Sequence, residues 1–214
     1  MLSAVHLRAP VRLTGIILLV LIIAAIVLVG LRSATPADDS AEAGFARDMA
    51  THHAQAVEMA FLIRDRSSDE ALRTLAYDII VTQSAQRGIF MGWLQEWGLP
   101  QASTLPRMAW MPGHAHIERD AATVPPLMHG MASDDELRRL RAAQGREAEI
   151  LFLQLMIRHH EGGVLMARAV KASSHRADVV QMAASIDEGQ RVEIAAMTEM
   201  LAKRDARPYP SLLD

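Results

Sequence analysis

The apolar positions after residue 40 recur with the period of an α-helix. On a helical wheel at 100° per residue, the apolar residues and the histidines of the first such stretch share one broad face. Its members are Phe45, Met49, His52, His53, Ala56, Met59, Ala60 and Ile63. A second stretch repeats this face with Phe152, Met156, His159, His160, Gly163, Met166 and Val170. The pattern predicts an all-α fold.

The two stretches belong to an internal repeat with an offset of 107 residues. FARDMATHHAQAVEMA begins at Phe45, and FLQLMIRHHEGGVLMA begins at Phe152. The correspondence continues without a gap as far as Leu94 and Leu201, so each copy spans two helices. One helical hairpin cannot cover its own apolar face, whereas two hairpins cover each other. The repeat therefore predicts a four-helix bundle from a duplicated hairpin.

Cap and turn residues divide the chain further. Ser133 and Glu136 have the spacing of a capping box, as do Asp39 and Glu42. Five prolines between residues 100 and 132 indicate a long loop. We predict a bundle domain at residues 41–204, with repeat 1 at 41–98, a loop at 99–132, a short helix at 133–144, repeat 2 at 146–204, and a tail at 205–214.

The N-terminal segment has the length of a membrane span. Residues 13–31 are 19 residues without a charge, which form a helix of about 28 Å. Arg8 and Arg12 precede this segment; Arg32 follows it, but acidic residues come soon after. This asymmetry predicts a cytoplasmic segment at 1–12, a single-pass anchor at 13–31, a linker at 32–40 and an extracytoplasmic bundle in the cell membrane. A cleaved signal peptide is the alternative, although its apolar region is normally shorter.

Composition narrows the classes of function. The net charge of −3 gives no basic excess for binding nucleic acid. The absence of cysteine excludes disulfides and thiolate metal sites. No Ser-His-Asp set, phosphate-binding glycine loop or nucleotide motif is present, so we expect no enzymatic activity. What distinguishes the chain is its 13 methionines and 9 histidines.

Each copy carries a Met-x-x-His-His segment on its apolar helix face. Methionine one turn before a histidine pair brings thioether and imidazole together. Thioether is a soft ligand, so this pair favours Cu(I) or Ag(I) over zinc. We predict a copper site in each copy, with His159, His160, Met156 and Met166 as candidate ligands in the second copy and His52, His53, Met49 and Met59 in the first. The structural alternative is methionine as gap-filling core beside hydrogen-bonded histidine, but two adjacent histidines twice on an apolar face are a poor way to build a core.

The long loop contains a second, weaker set of candidate ligands. The sequence Met128-His129-Gly130-Met131 resembles an exposed pick-up sequence for soft metals. Earlier in the loop, His114 and His116 provide further imidazoles. The alternative is a loop that merely contains these residue types.

The second copy also resembles a known family. The segment MHGMASDDELRRLRAAQG followed by FLQLMIRHHEGGVLMA is similar to the bacterial family called domain of unknown function 305, over about residues 45–203. This resemblance implies a ferritin-like, exported four-helix bundle, and copper handling through the histidine pairs and their methionine neighbours. The first copy departs from the pattern, because THHAQAV replaces RHHEGGV. Its site is therefore expected to be the weaker one.

Two other functions remain to be weighed. A ferritin-like di-metal oxidase needs Glu-x-x-His pairs, but Met49 and Met156 stand three residues before His52 and His159. A tethered bundle that binds a protein partner or a second copy of itself, without metal, is compatible with the sequence.

Overall fold

This computed structural model describes residues 14–24, 35–111 and 127–213, and within these ranges the protein is helical with no β-strand. Residues 14–24 form α1. The remaining helices are α2 (Ala41–Arg64), α3 (Glu70–Glu96), α4 (Asp134–Ala142), α5 (Gly145–Ser173) and α6 (Ala177–Ala202). The prediction of an all-α fold is confirmed for the described residues.

The chain divides into two compact units, Met1–Thr35 and Pro36–Asp214. In the first unit only residues 14–24 of the predicted anchor are described, and they are helical. The rest of the predicted anchor lies outside the described residues. Among the helices of the described ranges, none combines the length and the apolar character needed to cross a membrane.

Two helical hairpins make up the second unit. The first consists of α2 packed on α3, and the second of α5 packed on α6. The hairpins meet through α2 and α5, and the short α4 contacts both of these helices. The helices that carry the histidine pairs are therefore the two that face each other across the bundle.

Side chains at the helix ends explain most of the helix starts. Ser40, one residue later than the Asp39 expected from the sequence, caps α2 by accepting a hydrogen bond from the backbone of Ala43. Asp69 caps α3 in the same way. The capping box predicted at Ser133 and Glu136 is present in both directions at the start of α4. Such caps satisfy backbone N–H groups that have no partner within the helix.

The capping box of α4 also connects this helix to α5. The Glu136 carboxylate accepts hydrogen bonds from both terminal nitrogens of Arg158, at 2.9 and 2.7 Å. These bonds are the main reason that the pKa of Glu136 lies below its usual value. Because Arg158 immediately precedes His159, α4 fixes the chain beside one histidine pair.

The core consists of two apolar clusters at opposite ends of the bundle. One cluster contains the later part of α2, from Ala56, and the earlier part of α5, up to Ile157. The other contains the start of α2, up to Met49, and the end of α5, from Met166. The central stretches of both helices, which include all four histidines of the predicted sites, lie between these clusters.

We expect the α4 cap to contribute measurably to stability. Replacing Ser133 with Ala should lower the free energy of unfolding by about 1 kcal/mol, because the backbone N–H of Glu136 loses its acceptor. The exposed Ser68 gives a matched control, Ser68→Ala. Urea titrations monitored by circular dichroism measure both variants, and equal stabilities would contradict the role of the cap.

Candidate metal centre

The four histidines of the two copies form a single layer at the centre of the bundle. His52 and His53 come from α2, His159 and His160 come from α5, and all four are 0% exposed. The ring centroids of His52 and His159 are 3.6 Å apart, at an interplanar angle of 31°. We call these four residues the histidine layer. The two copies thus bring their histidines together across the bundle.

Three rings of the layer have a fixed tautomer. His52 Nε2 donates to the His129 carbonyl oxygen at 3.2 Å, and His53 Nε2 donates to Gln86 Oε1 at 2.8 Å. His160 Nε2 donates to a Glu193 carboxylate oxygen at 2.6 Å. Since each acceptor is an oxygen, Nε2 carries the proton in all three rings. In a neutral ring of this tautomer, Nδ1 keeps its lone pair.

Those Nδ1 atoms are the observation that bears on metal binding. In the described part of the chain, no hydrogen-bond partner reaches Nδ1 of His52, His53 or His160, or either ring nitrogen of His159. Burying a polar atom without a partner is unfavourable, and a bound ligand would remove this cost for several of these atoms at once. A metal ion accepts a lone pair from a neutral imidazole. The residues present therefore fit a metal.

Burial holds three of these rings in the neutral form. Loss of hydration lowers the pKa of His53 to about 3. The same effect, with repulsion from the neighbouring histidines, places the pKa of His52 and of His159 well below the usual value, and the bond from His52 to the His129 carbonyl opposes this only partly. At neutral pH these rings are uncharged, as metal ligation requires.

The methionines predicted as ligands lie on both sides of the layer. Met49 and Met166 belong to one apolar cluster, and Met59 and Met156 belong to the other. All four are 0% exposed. The methionines of one copy are thus divided between the two clusters, and each cluster receives one methionine from each copy.

The described ranges contain no ready group of three or more His, Asp or Glu side chains that could hold a metal ion. Tetrahedral zinc sites need four ligands, and di-iron sites need several carboxylates.

The glycines after the second histidine pair admit close neighbours. A Cβ atom on Gly162 would lie 1.9 Å from the His129 carbonyl oxygen, and one on Gly163 would lie 2.2 Å from Gln190 Oε1. The preceding Glu161 accepts hydrogen bonds from Ser211 Oγ and the Leu212 backbone, both at 3.0 Å. Residues 161–163 of α5 therefore contact the loop, α6 and the C-terminal tail.

The weaker loop candidates divide into two groups. Met128 is 1% exposed and packs in the cluster of Met49 and Met166, and Met131 is partly buried against the same cluster. His129 contributes its carbonyl oxygen to the layer. The other candidates, His114 and His116, lie outside the described residues.

Comparison with known proteins places the chain in a family. The family model described as a domain of unknown function, DUF305, matches residues 42–201. The chain belongs to the DUF305 family. This confirms the resemblance inferred from the second copy. A search of curated proteins gives no match.

Solved structures of other proteins resemble this DUF305 chain. One from Streptomyces coelicolor, named as a secreted DUF305 protein, is 44% identical, with a TM-score of 0.73 over 81% of this chain and 99% of its own. A DUF305 fragment from Deinococcus radiodurans is 33% identical, with a TM-score of 0.62 over 76% and 96%. CopM in its Cu(II)-bound form is 24% identical, with a TM-score of 0.59 over 77% and 97%, and this likeness shows the fold alone.

Several residues of this DUF305 site were not among the sequence candidates. Gln86 and Glu193, which hold His53 and His160, occupy equivalent positions in the repeat. Two further equivalent residues, Gln83 and Gln190, are buried with unpaired side-chain amides. The repeat offset of 107 residues places a polar residue at the same two positions in both copies, on helix faces that are otherwise apolar. This recurrence could have identified them from the sequence.

The neutral histidines make the metal-free DUF305 protein sensitive to acid. Below pH 6.5 the histidines of the unfolded chain take up protons that those of the native state do not. The free energy of unfolding therefore decreases as the pH is lowered, and for His53 this continues down to about pH 3. Each such histidine contributes about 1.4 kcal/mol per pH unit. Between pH 6 and 4 the variant His53→Leu should lose this part of the slope. Urea titrations at several pH values measure it, with the exposed His175→Leu as control; an unchanged slope would contradict the neutral state.

Proposed function

We propose that this DUF305 protein binds a soft monovalent metal ion, Cu(I) or Ag(I), at the histidine layer. The unpaired ring nitrogens support the proposal. Nδ1 of three histidines and both ring nitrogens of His159 have no hydrogen-bond partner in the described part of the chain, and all four rings are buried in the same layer. Cu(I) and Ag(I) accept as few as two ligands, so a site for them does not need the group of three or more His, Asp or Glu side chains that the described ranges lack.

The neighbouring side chains favour a soft ion over zinc or iron. Thioether selects Cu(I) and its analogue Ag(I), and a methionine of each copy lies in the cluster on either side of the layer. The Glu193 carboxylate is hydrogen-bonded to His160 and supports a ligand rather than acting as one. CopM, which has been solved with copper and with silver, shares the fold.

We further propose that the bundle is tethered outside the cytoplasm by residues 13–31. The proposal rests on the uncharged length of this segment and on the arginines before it. A soft-metal site without cysteine suits such a compartment, because no thiol is present to be oxidised. Storage, delivery and tolerance are the roles compatible with a buried ion. The competing function is a metal-free bundle that binds a protein partner.

Removing the second histidine pair tests metal binding directly. The double variant His159→Ala/His160→Ala should lose at least one equivalent of bound Cu(I) or Ag(I) and keep its helicity, since the helix backbone needs neither ring. Competition with a chromophoric chelator under reducing conditions measures the stoichiometry. His175→Ala, at an exposed position, is the control.

If the histidines serve only to fill the core, the double variant should lose stability while metal content stays the same. Failure of the wild-type protein to bind either ion under reducing conditions would refute the proposed function.

The acceptor on each second histidine should tune its affinity. A carboxylate makes the imidazole a better donor to metal than an amide does. Glu193→Gln copies the partner found in the first repeat, and should weaken binding by about tenfold. The matched variant Gln86→Glu should strengthen it. Chelator competition measures both, and a shift in the same direction for both variants would contradict this role.

A further inference from the structure

The histidine layer poses a problem of access. All four rings are 0% exposed. Apolar clusters lie on both sides of the layer along the helices. An ion that reaches the layer by separating α2 from α5 would have to expose both clusters to water, which is strongly unfavourable. A route that leaves the helices packed is therefore favoured.

Residues 128–131 provide the non-helical backbone that contacts the layer in the described part of the chain. The carbonyl oxygen of His129 accepts the hydrogen bond from His52 Nε2. Gly130, in the left-handed region with φ +77°, lies against the backbone of Arg158, and a Cβ there would be 2.3 Å from its carbonyl oxygen. Gly162 leaves room for His129 on the other side. The backbone of the segment can thus lie close to α5 because Gly130 and Gly162 have no side chains. We call this close-fitting surface of α5 the groove.

In the described part of the chain, hydrogen bonds and the packing of Met128 hold this segment in its groove. Gln55 on α2 donates to and accepts from the backbone of Ala132, at 2.9 and 2.8 Å, just after the segment. Arg158 donates to the Met131 carbonyl oxygen at 3.4 Å. Opening the segment breaks these bonds and the bond to His52 and withdraws Met128 from its apolar cluster, but it leaves the backbone bonds within α2 and α5 intact. Local opening of this kind needs far less free energy than separating helices.

We propose that residues 128–131 are a lid through which the metal ion enters and leaves the histidine layer. The proposal rests on the proposed metal binding and adds its route. Met128 lies on the lid and packs, 1% exposed, in the cluster of Met49 and Met166. Its thioether is a soft ligand that moves with the lid, so it can accompany an ion from the surface to the methionines beside the layer.

The variant Gly162→Ala tests the lid, because its methyl group displaces the His129 carbonyl oxygen. In the full-length protein, stopped-flow mixing with Ag(I) and release to a chelator should both accelerate about tenfold, as expected when one or two restraining hydrogen bonds are lost. Two variants are the controls. Glu161→Gln removes one of the two acceptor oxygens that hold the tail, and Gly88→Ala adds a Cβ with no atom within 4 Å. Both should keep wild-type rates.

A second variant guards against misfolding of the first. Gln55→Ala removes the two hydrogen bonds to Ala132 without adding any atom, and should accelerate uptake in the same direction. Hydrogen exchange of the backbone amides of residues 129–131 should speed up in both variants, while that of α5 stays slow. Equal uptake rates in wild type and both variants, with tight Ag(I) binding retained, would overturn the lid alone. Absence of Ag(I) binding by the wild-type protein would overturn the metal function and the lid with it.

Discussion

The burial of four imidazole rings at one level of the bundle is the constraint on which the rest of the structure depends. Desolvation keeps His52, His53 and His159 uncharged, so each needs acceptors for N–H groups and a use for its lone pairs. The acceptors for His53, His160 and His52 come from three separate parts of the chain, namely α3, α6 and the long loop. His159 has no such acceptor in the described part of the chain. The outer helices and the loop are therefore part of the site, although they carry none of its histidines.

The segment that follows the second histidine pair serves packing as much as chemistry. Glu161 holds the tail, Gly162 admits the loop backbone, and Gly163 admits the side chain of Gln190. Two glycines inside a helix destabilise it by about 1 kcal/mol each relative to alanine, so their presence requires such contacts. Gln55 occupies the position of Gly162 in the first copy, and its side chain is hydrogen-bonded to the same loop at Ala132.

The second histidines of the two copies have partners at equivalent positions but of different chemistry. A neutral amide receives His53, whereas a carboxylate receives His160 at the equivalent position. If each copy binds an ion, the two affinities need not be equal, because only one copy has the carboxylate partner. The contact between the His52 and His159 rings also means that the two copies do not form independent sites. The asymmetry is consistent with the closer match of the second copy to the family pattern.

Much of the fold followed from the sequence, because helix period, caps and repeats are local or one-dimensional signals. The face shared by Phe45 and the histidines predicted helical packing, and the capping box at Ser133 appeared as expected. At α2 the cap moved by one residue to Ser40, a choice between adjacent side chains that spacing alone does not make.

Only the tertiary structure decided which copy faces which, and thereby placed His52 against His159 and divided the methionines between two clusters. It also decided which nitrogen of each ring is free and what covers the layer. A periodic pattern defines one face of one helix, whereas these features depend on contacts between residues far apart in the chain, such as His52 and His129.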